Sequence, residues 1–460
     1  MSSDQAQEKS VLFVASLTSF VAPFSLSAVN VALPAIQHAF SVDAVMLSWI
    51  ATAFLLTMAV GLVPGGRIAD ICGRKKIFVW GISIYTIGNL LAGLAGSVET
   101  LIAYRIFQGV GSAMYATTGM AILTSVIPPQ RRGRAMGMYV SAVYIGLSVG
   151  PFVGGILTRY LGWRSVFLIV VPLGVVAVAV TLKYLKGEWA DAAGEPLDLV
   201  GSLLYCLALS MMVYGSSILR KAEGPWIAAA GLMCLVAFVF QERRTRYPVF
   251  EVRLFSENKL FAFSSLAALI NYATTFAITF LLSLYLQYVL DMSPRDAGMI
   301  LITQPVLMAI VASISGKLSD TRDPRILASL GMAIIVVGLI MLTFLSQNSS
   351  LLYLVVILAV VGFGFGMFSS PNTNAIMGSV HKRYLGLASA TVGTMRLTGQ
   401  MMSMGIATLI LQLFIGNQAI SRQNAGEFMT SMRTTFLIFV VLCVVGVFAS
   451  LARGKSEGSR

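Results

Sequence analysis

The sequence has little charge and few of the residues that build metal or redox sites. Only 11% of its 460 residues are charged, whereas soluble domains carry about 25%. It has two histidines, His38 and His381, and four cysteines, no two of which form a Cys-x-x-Cys pair. These shortages argue against a soluble globular chain, a disulfide framework and a zinc site. We therefore predict neither a metal nor a cofactor.

Long apolar stretches make up most of the remaining sequence, which is 57% hydrophobic. About 20 apolar residues are needed to cross the hydrocarbon of a bilayer, and we count fourteen such segments. The prediction is an all-α polytopic membrane protein, surrounded by the lipid bilayer. The net charge of +13 comes from bases in short loops between spans, so it indicates membrane topology and predicts no nucleic-acid partner.

The distribution of Lys and Arg predicts the orientation of the chain. With the N-terminus inside, the cytoplasmic segments hold 23 of the 32 bases and the outer loops hold seven. Cytoplasmic loops are the ones that carry the excess of positive charge. We expect a multi-pass protein of the cell membrane, monomeric, with both termini in the cytoplasm.

One dense patch of charge stands out, the basic loop Gly66–Lys76, with the sequence GRIADICGRKK. Its Gly66 and Asp70 recur 250 residues later as Gly316 and Asp320 in a weaker echo, 316–325. The offset predicts two related halves, as in transporters that rock one bundle against another around a midplane site. The expected segments are a cytoplasmic N-terminal tail (1–10), an N-terminal six-helix bundle (11–183), a linker with two inserted transmembrane helices (184–259), a C-terminal six-helix bundle (260–452) and a cytoplasmic C-terminal tail (453–460).

Two further stretches lie inside predicted spans. The fourth span carries Arg105 and Gln108 in RIFQGVGSA, and a cation there should face the bundle interior or water, or reach outward to the interface. The fifth span contains GLSVGPFVGG, where glycines recur every four residues on one helix face. Such a face allows a neighbouring helix to approach closely. The proline in this stretch favours a pliable helix.

These motifs resemble those of the major facilitator superfamily. The basic loop resembles G-x-L-A-D-x-x-G-R-K, with Ile68 at the Leu position, and the other stretches resemble R-x-x-Q-G-x-G and G-x-x-x-G-P-x-x-G-G. With VNVALP (29–34), GWRSVF (162–167), SLYLQ (283–287) and fourteen spans, the whole chain is similar to the 14-span drug:proton antiporter family.

The resemblance implies the major facilitator fold, with two six-helix bundles plus two inserted helices. It also implies proton-coupled export of small amphipathic compounds, as in multidrug efflux, by alternating access. The expected gating residues are Gly66, Asp70, Gly73, Arg74, Asp320, Gly146, Gly150, Pro151, Gly154 and Gly155.

One position departs from the family pattern. Members carry an Asp five residues before the Asn of VNVALP, and this chain has Ser25 there. We place none of its 19 acids inside a span, so Asp70, Asp43 or His38 would have to carry the proton. Without a buried carboxylate, neutral or anionic substrates are favoured over lipophilic cations. Substrate is expected to bind between the halves, among Ser25, Asn30, Arg105, Gln108, Asn271, Tyr272, Gln287, Asn372, Asn374, Arg396 and Gln400.

Other functions remain as alternatives. The first is an uncoupled uniporter, or a metabolite importer or exporter, for neutral or anionic substrates, which is consistent with Ser25. An enzyme would need a catalytic group such as His with an acid or paired acids, and the sequence offers none. A receptor would usually add a soluble sensory or output domain, and no segment is long enough to form one.

Overall fold

The computed structural model describes residues 3–219, 221–250, 252–319, 321–380, 385–416 and 418–453, and within them it is helical, without a strand. A π-helical turn, Tyr285–Val289, and a 3-10 turn, Arg422–Asn424, accompany the α-helices. The helices are α1 (Ser3–Phe40), α2 (Ala44–Cys72), α3 (Arg74–Gly93), α4 (Val98–Val126), α5 (Pro129–Leu161), α6 (Ser165–Leu168), α7 (Val170–Tyr184), α8 (Leu199–Ser217), α9 (Gly224–Arg244), α10 (Arg253–Glu257), α11 (Lys259–Leu284), α12 (Pro294–Leu301), α13 (Thr303–Leu318), α14 (Pro324–Thr343), α15 (Leu351–Gly378), α16 (Leu385–Phe414) and α17 (Ala425–Ala452).

Among the described residues, thirteen helical segments are long and apolar enough to cross a membrane. The α6–α7 and α12–α13 pairs each count as one segment. The remaining long helix is α4, with 29 residues, which carries Arg105 and Gln108 among its apolar side chains. The prediction of an all-α polytopic protein is confirmed.

Local sequence signals account for where these helices begin. Ser97 caps α4, and Asn258 and Ser350 each accept a hydrogen bond from a backbone N–H in the first turn of α11 and α15. Side-chain oxygens at these positions satisfy donors that have no partner within the helix. A proline occupies the first turn of α5, α12 and α14, where its missing N–H costs nothing.

The chain forms two compact units. Unit 1 contains residues 1–40, 49–212 and 229–250, and unit 2 contains residues 41–48, 213–228 and 251–460. The division falls within α2, α8 and α9.

The same helix contact occurs in both units. In unit 1, α3 and α4 meet at Gly81 and Gly111, where a Cβ on Gly111 would lie 2.5 Å from the backbone N of Tyr85. In unit 2, α14 and α15 meet at Gly331 and Gly364, where a Cβ on either glycine would lie 2.7 Å from the other's carbonyl oxygen. Gly331 follows Gly81 by the offset that relates the basic loop to its echo. The repeat therefore extends into helix packing.

The structure adds detail at both ends of the chain, where the assignment of cytoplasmic tails stays a prediction. The predicted tail at 1–10 is helical from Ser3 onward, because α1 continues through it. At the other end, Arg453 was assigned to a cytoplasmic tail, and it is only 2% exposed. Its guanidinium folds back onto unit 2 because hydrogen-bond acceptors are available there.

Candidate transport site and gate

The buried cation of unit 1 is Arg105 in α4, whose side chain is fully buried. Its Nε donates to the carbonyl oxygen of Ile50 at 3.0 Å, and its Nη1 donates to Oε1 of Gln108 at 2.6 Å. The guanidinium carbon lies 4.3 Å from the ring centroid of Phe54. Arg105 takes part in none of the ion pairs among the described residues, so these neutral groups stabilise its charge.

Gln108 connects Arg105 to the α3–α4 contact. Its Nε2 donates to the carbonyl oxygen of Gly88 at 3.0 Å, while its Oε1 accepts from Arg105. The spacing of three residues places the two side chains on one helix face. Nη2 of Arg105 is buried without a hydrogen-bond partner among the described residues. A cation with an unpaired donor nitrogen favours a ligand that supplies a carbonyl or anionic oxygen.

Aromatic and hydroxyl groups surround this cation. The rings of Tyr85 and Tyr115 meet edge to face, with centroids 5.4 Å apart, and Ser112 Oγ lies 3.3 Å from the Tyr115 hydroxyl. Ser25, at the position where the family carries an acid, is fully buried beside Tyr85. Asn30 is also buried in α1. The site in unit 1 therefore combines one cation, hydroxyls and aromatic faces.

The glycine face of α5 lies against α1. A Cβ on Gly146 would lie 2.4 Å from the Phe20 carbonyl oxygen, and one on Gly150 would lie 2.7 Å from Cβ of Ser27. A Cβ on Gly154 would lie 2.7 Å from Cα of Ala28. The close approach expected from the spacing is present, and α5 continues through the buried Pro151 and Gly155.

Unit 2 contains a second group of the predicted residues. Asn271 is fully buried in α11, and neither side-chain polar atom has a hydrogen-bond partner among the described residues. Next to it in sequence, Tyr272 packs edge to face on Phe365 of α15, with ring centroids 5.4 Å apart. Gly399 of α16 allows that helix to approach α11 closely, since a Cβ there would lie 2.8 Å from Cβ of Tyr272. An unsatisfied buried amide next to aromatic rings is a reasonable ligand contact.

The remaining predicted residues of unit 2 are more scattered. Gln287 lies in the π-helical turn and donates to Ser283 Oγ at 3.1 Å. Such turns often mark functional sites in helices. Gln400 is buried and Arg396 is half-buried, both in α16. Asn374 is exposed, and its amide donates to Ser319 Oγ at 2.7 Å.

Asn372 holds the end of unit 2 together. Its Nδ2 donates to the Ser264 carbonyl oxygen at 3.0 Å, and its Oδ1 accepts from Arg453 Nη1 at 2.8 Å. Arg453 Nη2 also donates to the Pro324 carbonyl oxygen at 2.8 Å. Burial lowers the pKa of Arg453 to about 10 although Asp323 opposes the shift, so the guanidinium stays protonated at neutral pH. This node joins α11, α14, α15 and α17.

The basic loop reduces to a sharp turn between two helices. Gly73 is the one residue between α2 and α3, and its φ of 109° is a conformation that favours glycine. Arg74 Nε donates to Asp70 Oδ1 at 2.8 Å, so the pair expected in the gate is formed. A Cβ on Gly66 would make only ordinary contact with the Thr117 side chain. Asp320, the counterpart of Asp70 in the echo, lies outside the described residues.

A segment that the motifs did not identify covers the basic loop. Residues 185–195, which we call the acidic arm, supply Glu188, Asp191 and Glu195. Asp191 Oδ2 lies 2.9 Å from Arg74 Nη2, and Glu195 pairs with Arg67. Glu188 accepts hydrogen bonds from backbone N–H groups at the start of α3. Charge pattern alone gave no signal that these two segments, more than 100 residues apart, would meet.

The structure shows the surroundings of the three residues that were expected to carry the proton. Asp70 pairs with Arg74, Asp43 accepts from the backbone N–H of Met46 at the start of α2, and His38 is exposed. The absence of acids inside the spans stays a prediction, and the structure adds one buried acid, Glu242, which lies in the last turn of α9 and is 2% exposed. It directly follows the predicted end of that span, at residue 241. A Cβ on Gly201 would lie 2.4 Å from Glu242 Oε1 and 2.7 Å from an oxygen of Asp198.

Comparison with known proteins agrees with this description. The family described as Major Facilitator Superfamily matches residues 15–404 and again 264–459. Riboflavin transporter RibZ of Clostridioides difficile is 26% identical over 448 residues, 96% of each chain. Multidrug resistance protein Stp of Mycobacterium tuberculosis is 30% identical over 401 residues, 84% of this chain and 73% of Stp.

Solved structures show the same fold. A crystal structure of peptide transporter POT in complex with sulfate aligns with a TM-score of 0.70 and 14% sequence identity, covering 96% of both chains. Helical architecture and family motifs thus agree along the chain. The protein belongs to the major facilitator superfamily and is a multi-pass membrane transporter.

Proposed function

We propose that this transporter exports small amphipathic compounds in exchange for protons, by alternating access, as a monomer with both termini in the cytoplasm. The buried guanidinium of Arg105 carries the proposal. A cation inside a span costs about 2.5–3.5 kcal/mol on insertion scales. Neutral groups around it offset that cost and leave one donor for a ligand.

The surroundings of Arg105 favour a flat, neutral or anionic substrate. Its charge attracts carbonyl or anionic oxygens, and the rings of Phe54, Tyr85 and Tyr115 offer apolar faces. Ser25 supplies a hydroxyl where the family carries an acid. A lipophilic cation would meet the like charge of Arg105, which pairs with no carboxylate in the described part of the chain.

The outward direction of transport is supported by α5 and by the comparison with Stp. The G-x-x-x-G-P-x-x-G-G pattern is associated with exporters of the superfamily, and in this chain its glycines lie against α1. Stp of Mycobacterium tuberculosis is a multidrug resistance protein. We infer that the α1–α5 contact flexes or seals during transport, while Asp70 and Arg74 hold the gate.

A second function is favoured by Ser25 and by the likeness to RibZ. In that alternative the chain is an uncoupled carrier of a neutral or anionic metabolite, and riboflavin is the first compound to test. Imposing a pH gradient on proteoliposomes separates the two functions. Exchange for protons requires uptake or efflux to follow the gradient, and movement indifferent to it would leave the uncoupled carrier.

Glu242 is the residue to substitute in that experiment. It is the buried acid of α9, and an oxygen of Asp198 lies close to its carboxylate. If protons couple through this pair, Glu242→Gln should remove the dependence on the gradient while leaving exchange of substrate between the two sides. Exposed Glu223→Gln serves as the control, with the same change in charge.

The role of Arg105 is tested with three probes in vesicles from an efflux-deficient host. Riboflavin is flat and neutral, fluorescein is anionic and ethidium is a cation. We expect transport of riboflavin or fluorescein, and a loss of at least about tenfold in Arg105→Gln, the equivalent of about 1.4 kcal/mol. Exposed Arg159→Gln makes the same charge change and should retain transport. Preferential transport of ethidium, or full activity of Arg105→Gln, would contradict the proposed site.

A further inference from the structure

The acidic arm contacts the basic loop through all three of its carboxylates. Glu195 pairs with Arg67, and Asp191 pairs with Arg74, which keeps its bond to Asp70. Glu188 Oε1 accepts from the backbone N–H of Lys75 at 2.7 Å. The acidic arm therefore pairs with two of the four bases of the basic loop and also binds the start of α3.

Backbone hydrogen bonds fix the register of this contact. The N–H of Arg74 donates to the Trp189 carbonyl oxygen at 2.8 Å, and the N–H of Ala192 donates to the Asp70 carbonyl oxygen at 3.0 Å. Both residues of the expected gate are thus bound through main chain as well as side chain. Ion pairs between two mobile surface segments would not require such a register.

Glu188 performs the capping that the helix lacks locally. The N-cap of α3 is Gly73, which has no side chain to cap the first turn. Glu188 supplies both carboxylate oxygens to the N–H groups of Lys75 and Lys76, at 2.7 and 3.2 Å. An anion at this end is also favoured by the helix dipole. Gly73 leaves the space, because a Cβ there would lie 2.6 Å from the Glu188 carboxyl carbon.

The contacts are of a kind that can open. The side chains of Asp191 and Glu195 are 70% and 37% exposed, so solvent screens both ion pairs and each is weak. Several weak contacts that form together give a two-state element, whereas a buried ion pair would hold permanently. The arm also connects α7 to α8, the first of the two inserted helices.

We propose that the acidic arm is a gating element of the transport cycle, with Glu188, Asp191 and Glu195 as its positioning residues. It holds the turn at Gly73 and the Asp70–Arg74 pair in the state described above. The arm separates from the basic loop whenever the gate changes state. This inference rests on the proposed function as a transporter with a gate at Asp70 and Arg74.

Hydrogen exchange tests whether the carboxylates hold the arm in place. The triple variant E188Q/D191N/E195Q should raise exchange at the amides of Lys75, Lys76 and Ala192 at least tenfold. A matched triple variant, E223Q/E257Q/E427Q, removes the same charge from exposed positions and should leave those amides unchanged. Equal exchange in the two triple variants would overturn the proposal.

Reversible cross-linking tests whether the arm has to separate. The pair R67C/E195C replaces one of the ion pairs in a chain with its own cysteines removed (C72S/C206S/C234S/C443A). Cross-linking with a short bis-methanethiosulfonate linker should lower the rate of riboflavin or fluorescein transport at least tenfold. Cleaving the linker with a reducing agent should restore that rate. Full transport by the cross-linked protein would show that the arm is only a structural tether, which would overturn the proposal.

Failure of the proposed function and failure of the gating role give different results. If the wild-type chain moves neither riboflavin nor fluorescein, it fails as the proposed transporter, and the gating role fails with it. If the wild-type chain moves one of these probes and the cysteine pair moves it equally well before and after cross-linking, the proposed function stands and only the gating role of the arm is lost.

Discussion

The basic loop and its echo are duplicates whose stabilising contacts have opposite polarity. In unit 1, carboxylates come from the acidic arm to a turn rich in bases. In unit 2, a base comes from the end of α17, and Arg453 donates to the Pro324 carbonyl oxygen beside Asp323. There the start of α14 is capped locally, since Asp323 accepts from the N–H of Arg325. The helices that flank the basic loop and its echo are therefore held by different contacts in the two units.

Burial separates the two arrangements further. Arg453 is 2% exposed and hydrogen-bonded to three elements. The carboxylates of the acidic arm reach solvent. Buried polar contacts are costly to break, whereas exposed ion pairs contribute little each. We infer a permanent node in unit 2 and a releasable contact in unit 1, which the following substitutions test.

The largest effect is expected at the node. Arg453→Ala removes the donors to Asn372, Ser264 and Pro324, and leaves buried oxygens unsatisfied at a cost of about 3 kcal/mol. The midpoint of thermal unfolding in detergent should fall by several degrees. Arg422→Gln is the control, because its ion pair with Asp291 is exposed on both sides. A fall no larger than that of the control would show that the node does not stabilise unit 2.

Gly73→Ala should have the next largest effect. Its φ of 109° disfavours alanine, and the added Cβ would displace Glu188. We therefore expect the free energy of unfolding to fall by about 2 kcal/mol. Exchange at the amides of Lys75 and Lys76 should rise as well. Gly65→Ala is the matched control, since that glycine is helical and a Cβ there meets nothing within 4 Å. Similar behaviour of both variants would mean that the turn tolerates a displaced arm.

The smallest effects on stability are expected from substituting Asp323 and Asp70. Asp323→Asn should be nearly neutral, because Asn caps a helix as well as Asp does. Asp70→Asn removes the charge that Arg74 contacts, and transport should fall about tenfold, or about 1.4 kcal/mol. The flux of riboflavin and fluorescein into vesicles measures transport by both variants. Wild-type transport by Asp70→Asn would remove that residue from the gate.

Much of the fold was predictable because its signals are local or periodic. Fourteen apolar segments predicted the long helices, and the cost of a cation inside a span predicted that Arg105 would face the interior of its bundle. Glycines at every fourth position predicted a close helix contact on α5. The identity of the contacting helix, α1, was not predictable, since side-chain spacing describes one surface and leaves its partner open.

What could not be predicted depends on non-local contacts or on the last residue of a helix. Glu188 and Lys75 are 113 positions apart, and the acidic arm has no periodicity that would indicate where it packs. Glu242 and Arg453 each lie within one residue of a predicted span end, where burial cannot be judged from hydropathy. The π-helical turn at Gln287 has no sequence signal comparable to proline or glycine.

The separation of the acidic arm from the basic loop also matters for biosynthesis. The loop carries a formal charge of +3 and the arm −2, so together they amount to only +1 in the finished protein. During synthesis, however, the bases emerge more than 100 residues before Glu188. They are therefore unneutralised while the first helices insert, which is when positive charge directs topology. The same residues direct insertion first and become part of a compensated contact once the arm has been made.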